Sequence, residues 1–216
     1  MKATKIAVRF AVLMAGLLIC AAGIVFTVKA GLGVSPWDVF HIGVTNYTHF
    51  SLGRVQQMTG FGIILITIGL TRQVPQIGTF LNMFFIGFFV DQILRFGFIP
   101  GTTGWVRYVY LALGILLSGG GSGVYLAASL GAGPRDGLML YLSRCRKTRI
   151  RTIRTAMEVM MVTLGYFLGG PVGVGTVFVS LGLGPAMEAS IHYFGRHLRP
   201  LAEETAAGNV GTAPDA

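Results

Sequence analysis

The stretch FAVLMAGLLICAAGIVFTV, residues 10–28, contains no Lys, Arg, Asp or Glu. As an α-helix it rises about 28 Å, which matches the ~30 Å hydrocarbon core of a bilayer. The stretch follows three basic residues, Lys2, Lys5 and Arg9, as the apolar core of a secretory signal peptide does. The run of 19 residues is longer than the ~7–15 apolar residues of such a signal, so we predict a retained transmembrane helix.

Four further stretches are free of charged residues over lengths that suit a membrane span. They are 55–71, 73–90, 108–134 and 159–187. The last is too long for one span, and Gly169-Gly170-Pro171 interrupts it where a turn is expected. With flanking residues, the pattern predicts six transmembrane helices, at 7–29, 54–71, 76–95, 105–128, 152–168 and 173–195.

The composition excludes most other classes of protein. Of the 216 residues, 53% are hydrophobic, 12% are charged and 32 are glycine, whereas soluble domains have about 25% charged residues and ~7% glycine. Fifteen Phe exclude a disordered chain, and the lack of a Gly-X-Y period excludes collagen. The predicted fold class is an all-α polytopic membrane protein, with residues 1–200 as one transmembrane domain and residues 201–216 as a disordered cytoplasmic tail.

The basic residues predict the orientation of these helices. If the N-terminus is cytoplasmic, 13 of the 17 Lys and Arg residues lie on the cytoplasmic side and four lie on the other. This asymmetry agrees with the positive-inside rule, so we predict that both termini are cytoplasmic. The net charge of +9 then reflects membrane orientation and does not indicate a nucleic-acid partner.

The second half of the chain repeats the first at an offset of 98 residues, and of 97 residues after one gap. The matched pairs include Gly16 and Gly114, Gly23 and Gly121, Pro36 and Pro134, Asp38 and Asp136, and Asp91 and Glu188. Each repeat, about 7–99 and 105–197, has three predicted spans. Because three is odd, the first repeat starts and ends on opposite sides of the membrane, and the second repeat is therefore inverted relative to the first. We expect each connector, 30–53 or 129–151, to form a short or re-entrant helix, and the matched glycines to bring spans 1 and 4 close together.

Inverted repeats recur in secondary transporters, where two related halves yield two states of similar energy. They also occur in channels and in proteins that move nothing. The sequence favours a carrier of an unidentified small solute, with H⁺ as a candidate coupling ion. The alternatives are a membrane scaffold or regulatory protein whose basic loop docks a partner, and a substrate-capturing subunit that needs an energising partner. Because no catalytic or cofactor motif is present, we expect neither an enzyme nor a bound cofactor.

Three motifs carry a resemblance to a known family. They are GLGVSPWD at 31–38, LGAGPRDG at 130–137 and GGPVGVGT at 169–176. All three resemble motifs of the bacterial YczE/YyaS/YitT membrane proteins, above all the YczE-like branch, and the resemblance covers roughly residues 7–195. It implies a multi-pass protein of the bacterial plasma membrane. The family has no established biochemical activity, so the resemblance implies no catalytic or binding residues.

Asp38 and Asp136 occupy matched positions, each two residues after a Pro. An acid in or near an apolar segment is a functional candidate, because its charge is costly there. The same positions suit the capping of a helix N-terminus, with Ser35 as the cap before Asp38 and Gly133 as the cap before Asp136. Capping and a direct substrate- or ion-binding role are compatible, since a re-entrant helix needs a cap and its N-terminus attracts anions.

Asp91 and Glu188 form a second matched pair of acids. Each precedes a cationic or titratable side chain by four residues on one helix face, Arg95 and His192 respectively. One interpretation is a local ion pair at the membrane boundary. The other is a gate or a proton-coupling site, because an acid beside a His can titrate near physiological pH.

Glu158 breaks the repeat, because the matching residue in the first half is Gly60. It lies about two turns into the fifth predicted span. An ion pair with Arg154 at i,i+4 is one interpretation. The other is an acid that faces a cavity and binds a proton, a cation or the substrate.

Six basic residues form a cluster within eleven positions: Arg144, Arg146, Lys147, Arg149, Arg151 and Arg154. One interpretation is that this basic cluster determines topology alone. The other is that it also binds anionic lipid headgroups or a cytoplasmic partner. No aromatic residues are interleaved for base stacking, which argues against nucleic acid. His41 and His49 lack a Cys or carboxylate that would complete a metal site, so no metal is expected.

Overall fold

The computed structural model describes the backbone of residues 2–208 and the side chains of residues 6–194. Within this part of the chain every regular element is an α-helix. The helices are α1 (Lys2–Ala30), α2 (Pro36–Thr45), α3 (Leu52–Thr71), α4 (Ile77–Phe96), α5 (Val106–Ala127), α6 (Pro134–Cys145), α7 (Ile150–Phe167) and α8 (Val174–Gly208).

Six of these helices overlap the six predicted spans, and each connector contains a short helix, α2 or α6. Four helices are long and apolar enough to cross a membrane, over Ile6–Ala30, Ile77–Phe96, Val106–Ala127 and Val174–Phe194. The chain is therefore a helical membrane protein. The disordered tail predicted over 201–216 begins within α8, which runs to Gly208, and residues 209–216 lie outside the described residues.

α1 and α5 form the largest interface between two helices. A Cβ built on Gly23 would lie 2.8 Å from the carbonyl oxygen of Gly114, and one built on Gly121 would lie 2.6 Å from that of Gly16. Real Cβ atoms do not approach backbone oxygens so closely, so only glycine permits this packing. The predicted close approach of the two matched helices is confirmed.

The two halves of the chain contact each other through matched hydrogen bonds. The N–H of Gly78, in the first turn of α4, donates to the carbonyl of Leu130 at 2.9 Å, and that of Gly175, in the first turn of α8, donates to Leu32 at 2.7 Å. The packing of the connector helices is matched in the same way: α2 of the first half packs on α7 of the second, and α6 of the second half packs on α3 of the first. Each connector helix is thus held by the half of the chain to which it does not belong.

One contact in the first half has no equivalent in the second. α3 packs on α4 at Gly53 and Gly87, where the two backbones leave no room for a Cβ. The residue that matches Gly53 in the second half is Arg151, whose long side chain excludes such an approach. Among the described residues, α7 and α8 accordingly share no comparable interface. We call the α3–α4 side of the molecule closed, because these two helices are in direct contact. The α7–α8 side lacks this contact among the described residues, and we call it open.

Candidate functional site

A cavity of about 90 Å³ lies between the two halves of the chain, against α1 and α5, and several polar side chains interrupt its mostly apolar wall. Its charged, amide and imidazole side chains are Asp38, His41, Gln56, Asn82 and Arg135. The first four belong to the first repeat and the last to the second. We refer to this space as the Asp38 cavity.

Asp38 is buried in the first turn of α2, with 4% of its surface exposed. Ser35 is the N-cap of this helix, and its hydroxyl accepts a hydrogen bond from the Asp38 N–H at 3.3 Å. The same hydroxyl donates to Oδ2 of Asp38 at 2.6 Å. Pro36 follows at the first helical position, where a backbone N–H would have no acceptor within the helix. The predicted cap is therefore confirmed.

The carboxylate of Asp38 has two further partners that capping does not require. Gln56 of α3 donates from Nε2 to Oδ1 at 2.9 Å, and Nδ1 of His41 lies 3.4 Å from the same oxygen. A carboxylate only accepts hydrogen bonds, so Nδ1 carries the proton in this pair. Three side chains thus hold one buried carboxylate in a fixed position beside the cavity.

Three buried polar atoms of the cavity residues have no hydrogen-bond partner within the part of the chain that the structure describes: His41 Nε2, Gln56 Oε1 and Asn82 Nδ2. Each of the three side chains is more than nine-tenths buried. An unpaired buried polar atom costs about 1–3 kcal/mol. Because all three residues line the Asp38 cavity, a polar molecule within it would lower this cost.

Arg135 lines both the Asp38 cavity and a second cavity, and so lies at the boundary between them. Its Cζ lies 5.5 Å from the centroid of the Trp37 ring, a cation–π contact. Among the described residues, no hydrogen bond or ion pair is formed by its guanidinium group. A guanidinium has five N–H donors, and all five remain free to bind an anion.

The second cavity, of about 60 Å³, contains Asp136, Arg154 and Glu158 among its lining residues, and we call it the Asp136 cavity. Asp136 accepts a hydrogen bond from the hydroxyl of Tyr125 at 3.2 Å. Arg154 Nε donates to Glu158 Oε1 at 2.9 Å, so the predicted i,i+4 pair is confirmed. Gly133 caps α6, as predicted. The cavity includes residues of both α7 and α8, and therefore lies on the side that is not closed.

The repeat relates the two cavities to each other. Trp37 matches Arg135 at the offset of 98, so the cation–π contact joins equivalent positions of the two halves. Gln56, which binds Asp38, matches Arg154. Since Arg154 pairs with Glu158, the two cavities share an architecture but differ in charge.

Asp91 lies outside both cavities. It accepts hydrogen bonds from the hydroxyl of Ser51 and, at 2.8 Å, from the N–H of Gly53, and so joins the N-terminus of α3 to α4. Arg95 is exposed, and no ion pair joins it to Asp91 among the described residues. The predicted Asp91–Arg95 pair is wrong, because the N-terminus of α3 offers the acid free N–H groups and a favourable helix dipole.

Glu188 and His192 are both exposed on α8, and no hydrogen bond or ion pair links them in the part of the chain that the structure describes. The predicted pair is therefore not formed, in keeping with the small gain of an exposed ion pair. Three of the five candidate acids line the two cavities: Asp38, Asp136 and Glu158.

The basic cluster divides into two parts. Its first five members lie exposed at the end of α6 and the start of α7: Arg144, Arg146, Lys147, Arg149 and Arg151. Arg154 is half-buried and belongs to the Asp136 cavity. Among the described residues, no three His, Cys, Asp or Glu side chains are grouped so as to hold a metal ion.

Sequence reasoning does not identify several residues of the Asp38 cavity. Gln56 and Asn82 are amides within predicted spans, and a polar side chain at such a position is a usable signal. His41 is considered only as a metal ligand, and Arg135 only as a charge that determines topology. Their common location depends on contacts between helices that are far apart in the chain.

Comparison with known proteins places the chain among bacterial membrane proteins. The model of a "Family of unknown function (DUF6198)" matches residues 7–192. The chain is 34% identical over 190 residues to "Uncharacterized membrane protein YczE" of Bacillus subtilis, covering 87% of each chain. It is 32% identical over 185 residues to an "Uncharacterized protein" of Haemophilus influenzae, covering 86% of this chain and 84% of the other.

A third relative is "Uncharacterized protein YyaS" of Bacillus subtilis, which is 27% identical over 167 residues, or 75% of this chain and 82% of the other. The resemblance of the connector motifs to the YczE and YyaS proteins is therefore confirmed. No solved structure matches the chain.

Proposed function

We propose that this chain, which belongs to the DUF6198 family, is a carrier of a small solute in the bacterial plasma membrane. One observation carries the proposal: the cavity between the two halves is lined by a buried Asp and by three residues that each have a polar atom without a partner among the described residues. Charged and unpaired polar groups are costly inside a membrane protein, and they are typical of substrate and ion pathways.

The proposal includes six transmembrane helices in two inverted repeats, with both termini in the cytoplasm. The matched hydrogen bonds Gly78–Leu130 and Gly175–Leu32 support the repeat. In secondary transporters with inverted repeats, interrupted helices from both halves meet at the binding site near the bilayer midplane. α2 and α6 suit this role, since Ser35 and Pro134 at their N-terminal ends both line the Asp38 cavity.

The difference between the two sides supports a route for the solute. In the predicted orientation, the closed α3–α4 side, joined by Asp91, lies at the outer end of these helices. The α7–α8 side and the Asp136 cavity lie at the inner end. A carrier closed outside and accessible from inside is an inward-facing carrier, and we assign this arrangement to that state. Asp38 and His41 are the groups that we assign to H⁺ coupling, because they are a buried acid and a buried base that share a hydrogen bond.

The exposed part of the basic cluster gives the proposed cytoplasmic face a strongly positive surface. We assign anionic lipid headgroups to it as ligands, since each Lys or Arg near such a surface contributes about 1 kcal/mol. This contact would orient the protein and would take no part in the movement of the solute.

Counterflow in proteoliposomes tests the proposed function without assuming a coupling ion. Liposomes that contain the purified protein are loaded with one unlabelled solute and diluted into a trace of the same radiolabelled solute. The panel consists of amino acids, sugars, amines and carboxylates. We expect at least one solute to accumulate, and a pH-sensitive dye inside the liposomes then reports H⁺ coupling.

The variants distinguish a carrier from a docking protein. Asp38→Asn should reduce counterflow at least tenfold, whereas R144Q, which removes an exposed charge from α6, should leave it unchanged. Absence of counterflow for every solute would refute the proposal. If charge reversal of the exposed basic residues abolishes a cellular phenotype that Asp38→Asn leaves intact, the docking function replaces it.

A further inference from the structure

We infer that the Asp38 cavity binds a small zwitterion, a molecule that carries one ammonium group and one carboxylate group. The inference names the substrate class of the carrier, and rests on the proposed function only for the step of transport. Binding to the cavity is a separate property, and it can be measured without any membrane.

The volume of the cavity limits the size of the ligand. About 90 Å³ corresponds to about six to nine water-sized positions, at roughly 10–15 Å³ each. We therefore expect a small ligand, close in volume to a few water molecules. Amino acids with short side chains have this size.

Three acceptors beside α2 suit the ammonium group. The first is the carboxylate of Asp38. The second is Oε1 of Gln56, which is unpartnered because the amide nitrogen of Gln56 donates to Asp38. The third is Nε2 of His41, which accepts when the imidazole is neutral, since Nδ1 carries the proton. An ammonium group has three N–H donors and no acceptor, so its hydrogen-bonding capacity matches these three acceptors.

Two donors suit the carboxylate group of the ligand. The Cζ of Arg135 lies over the Trp37 ring, and among the described residues no hydrogen bond uses the N–H groups of this guanidinium. A guanidinium edge binds a carboxylate through two parallel hydrogen bonds. Nδ2 of Asn82, a residue that lines the same cavity, is a further donor without a partner among the described residues.

The two charges of the cavity favour a zwitterion over other solutes. Asp38 and Arg135 line one space, yet no ion pair joins them among the described residues. Neither charge forms an ion pair with a side chain of full opposite charge among the described residues, although Asp136 and Asp38 both attract the Arg135 guanidinium at longer range. A solute with one charge would compensate one of them, and an uncharged sugar would compensate neither. A zwitterion compensates both and adds no net charge to the interior of the protein.

Binding to the purified full-length protein in detergent tests the inference. The probes are L-alanine, β-alanine, γ-aminobutyrate, L-proline and L-valine, and propionate and isopropylamine are analogues of alanine that lack one charge. Thermal unfolding detects binding through the rise in Tm, and calorimetry measures Kd. We expect at least one zwitterion to bind at least tenfold more tightly than either analogue.

Two variants assign the charges of the ligand to the two ends of the cavity. Arg135→Gln should weaken binding of the zwitterion at least tenfold and abolish its advantage over isopropylamine. Asp38→Asn should abolish the advantage over propionate. Gln56→Met is a second variant at this end if the loss of the carboxylate that accepts from the cap residue Ser35 prevents folding. R144Q removes the same charge from α6 outside both cavities and should bind as the wild type does.

Three results would overturn the inference: no zwitterion of the panel binds, a singly charged analogue binds as tightly, or Arg135→Gln leaves the affinity unchanged. The test also separates this inference from the proposed function. Counterflow of a sugar without binding of a zwitterion would refute the inference and keep the carrier. Binding of a zwitterion without any counterflow would keep the inference and refute the carrier.

Discussion

Gly121 and Gly120 are neighbours in α5, but they face different surroundings. A Cβ on Gly121 would lie 2.6 Å from the carbonyl oxygen of Gly16 in α1, whereas a Cβ on Gly120 would have no atom within 4 Å. Gly121→Ala therefore inserts a methyl group between two backbones, and Gly120→Ala adds the same group where there is space. Both substitutions change helix propensity alike, so their difference measures the packing of α1 on α5.

The size of this difference follows from the distances. A methyl carbon needs about 3.5 Å to its neighbour, so α1 and α5 must separate by about 1 Å. Such a gap removes a quarter to a half of the ~0.1–0.2 kcal/mol of each atom pair, or about 2 kcal/mol over roughly 40 pairs. We expect Gly121→Ala to lower the free energy of unfolding by about 2 kcal/mol, and Gly120→Ala to change it by less than about 0.5 kcal/mol.

Titration of the detergent-solubilised variants with SDS measures both values. Trp fluorescence follows unfolding, because Trp37 is buried beside Arg135 in the native protein. If the two variants are equally stable, the backbones of α1 and α5 do not touch. That result would also refute the placement of the Asp38 cavity, since both helices form its wall.

Three further predictions concern single side chains. Cys145 is exposed and Cys20 is buried. A membrane-impermeant maleimide should therefore label Cys145 in inverted vesicles but not in intact cells, with C145S as the control. Labelling of intact cells would contradict the predicted orientation. Asp91→Ala removes the acceptor of two hydrogen bonds from α3 and should lower the free energy of unfolding by about 1–3 kcal/mol in the SDS titration. Glu188 is exposed, so Glu188→Ala should have the same free energy of unfolding as the wild type. If Asp91→Ala and Glu188→Ala lose equal stability, the α3–α4 contact is not supported. Tyr125→Phe deletes the hydroxyl that donates to the α6 carboxylate and should cost about 0.5–1.5 kcal/mol with unchanged helix content by circular dichroism; stability at the wild-type level would contradict this hydrogen bond.

Features that depend on neighbours in the chain are predictable from the sequence. The charge-free run 10–28 lies within α1, and Ser35 begins α2 as its N-cap. The Arg154–Glu158 pair belongs to the same class, since it spans one turn of α7. Helix hydrogen bonds, caps and i,i+4 pairs join residues at most four positions apart, so their partners can be read from a short stretch of sequence.

The Asp91 side chain shows where this reasoning fails. Local spacing favours Arg95 as its partner, but its hydrogen bonds come from Ser51 and Gly53, about forty residues earlier. Helix packing brings the free N–H groups at the start of α3 to this acid, and a fixed backbone donor loses less entropy on pairing than a long, exposed arginine does.

The sequence by itself determined the helical membrane class, the two matched connectors and the candidacy of Asp38, because hydropathy and charge act on each segment separately. Only the tertiary structure decided that Gln56, Asn82 and Arg135 share a cavity with this acid. These residues come from three helices, and their distances depend on how closely the glycine faces of the helices pack. A local pattern can indicate that a polar group is costly in a membrane. Which other group compensates that cost depends on how the helices pack.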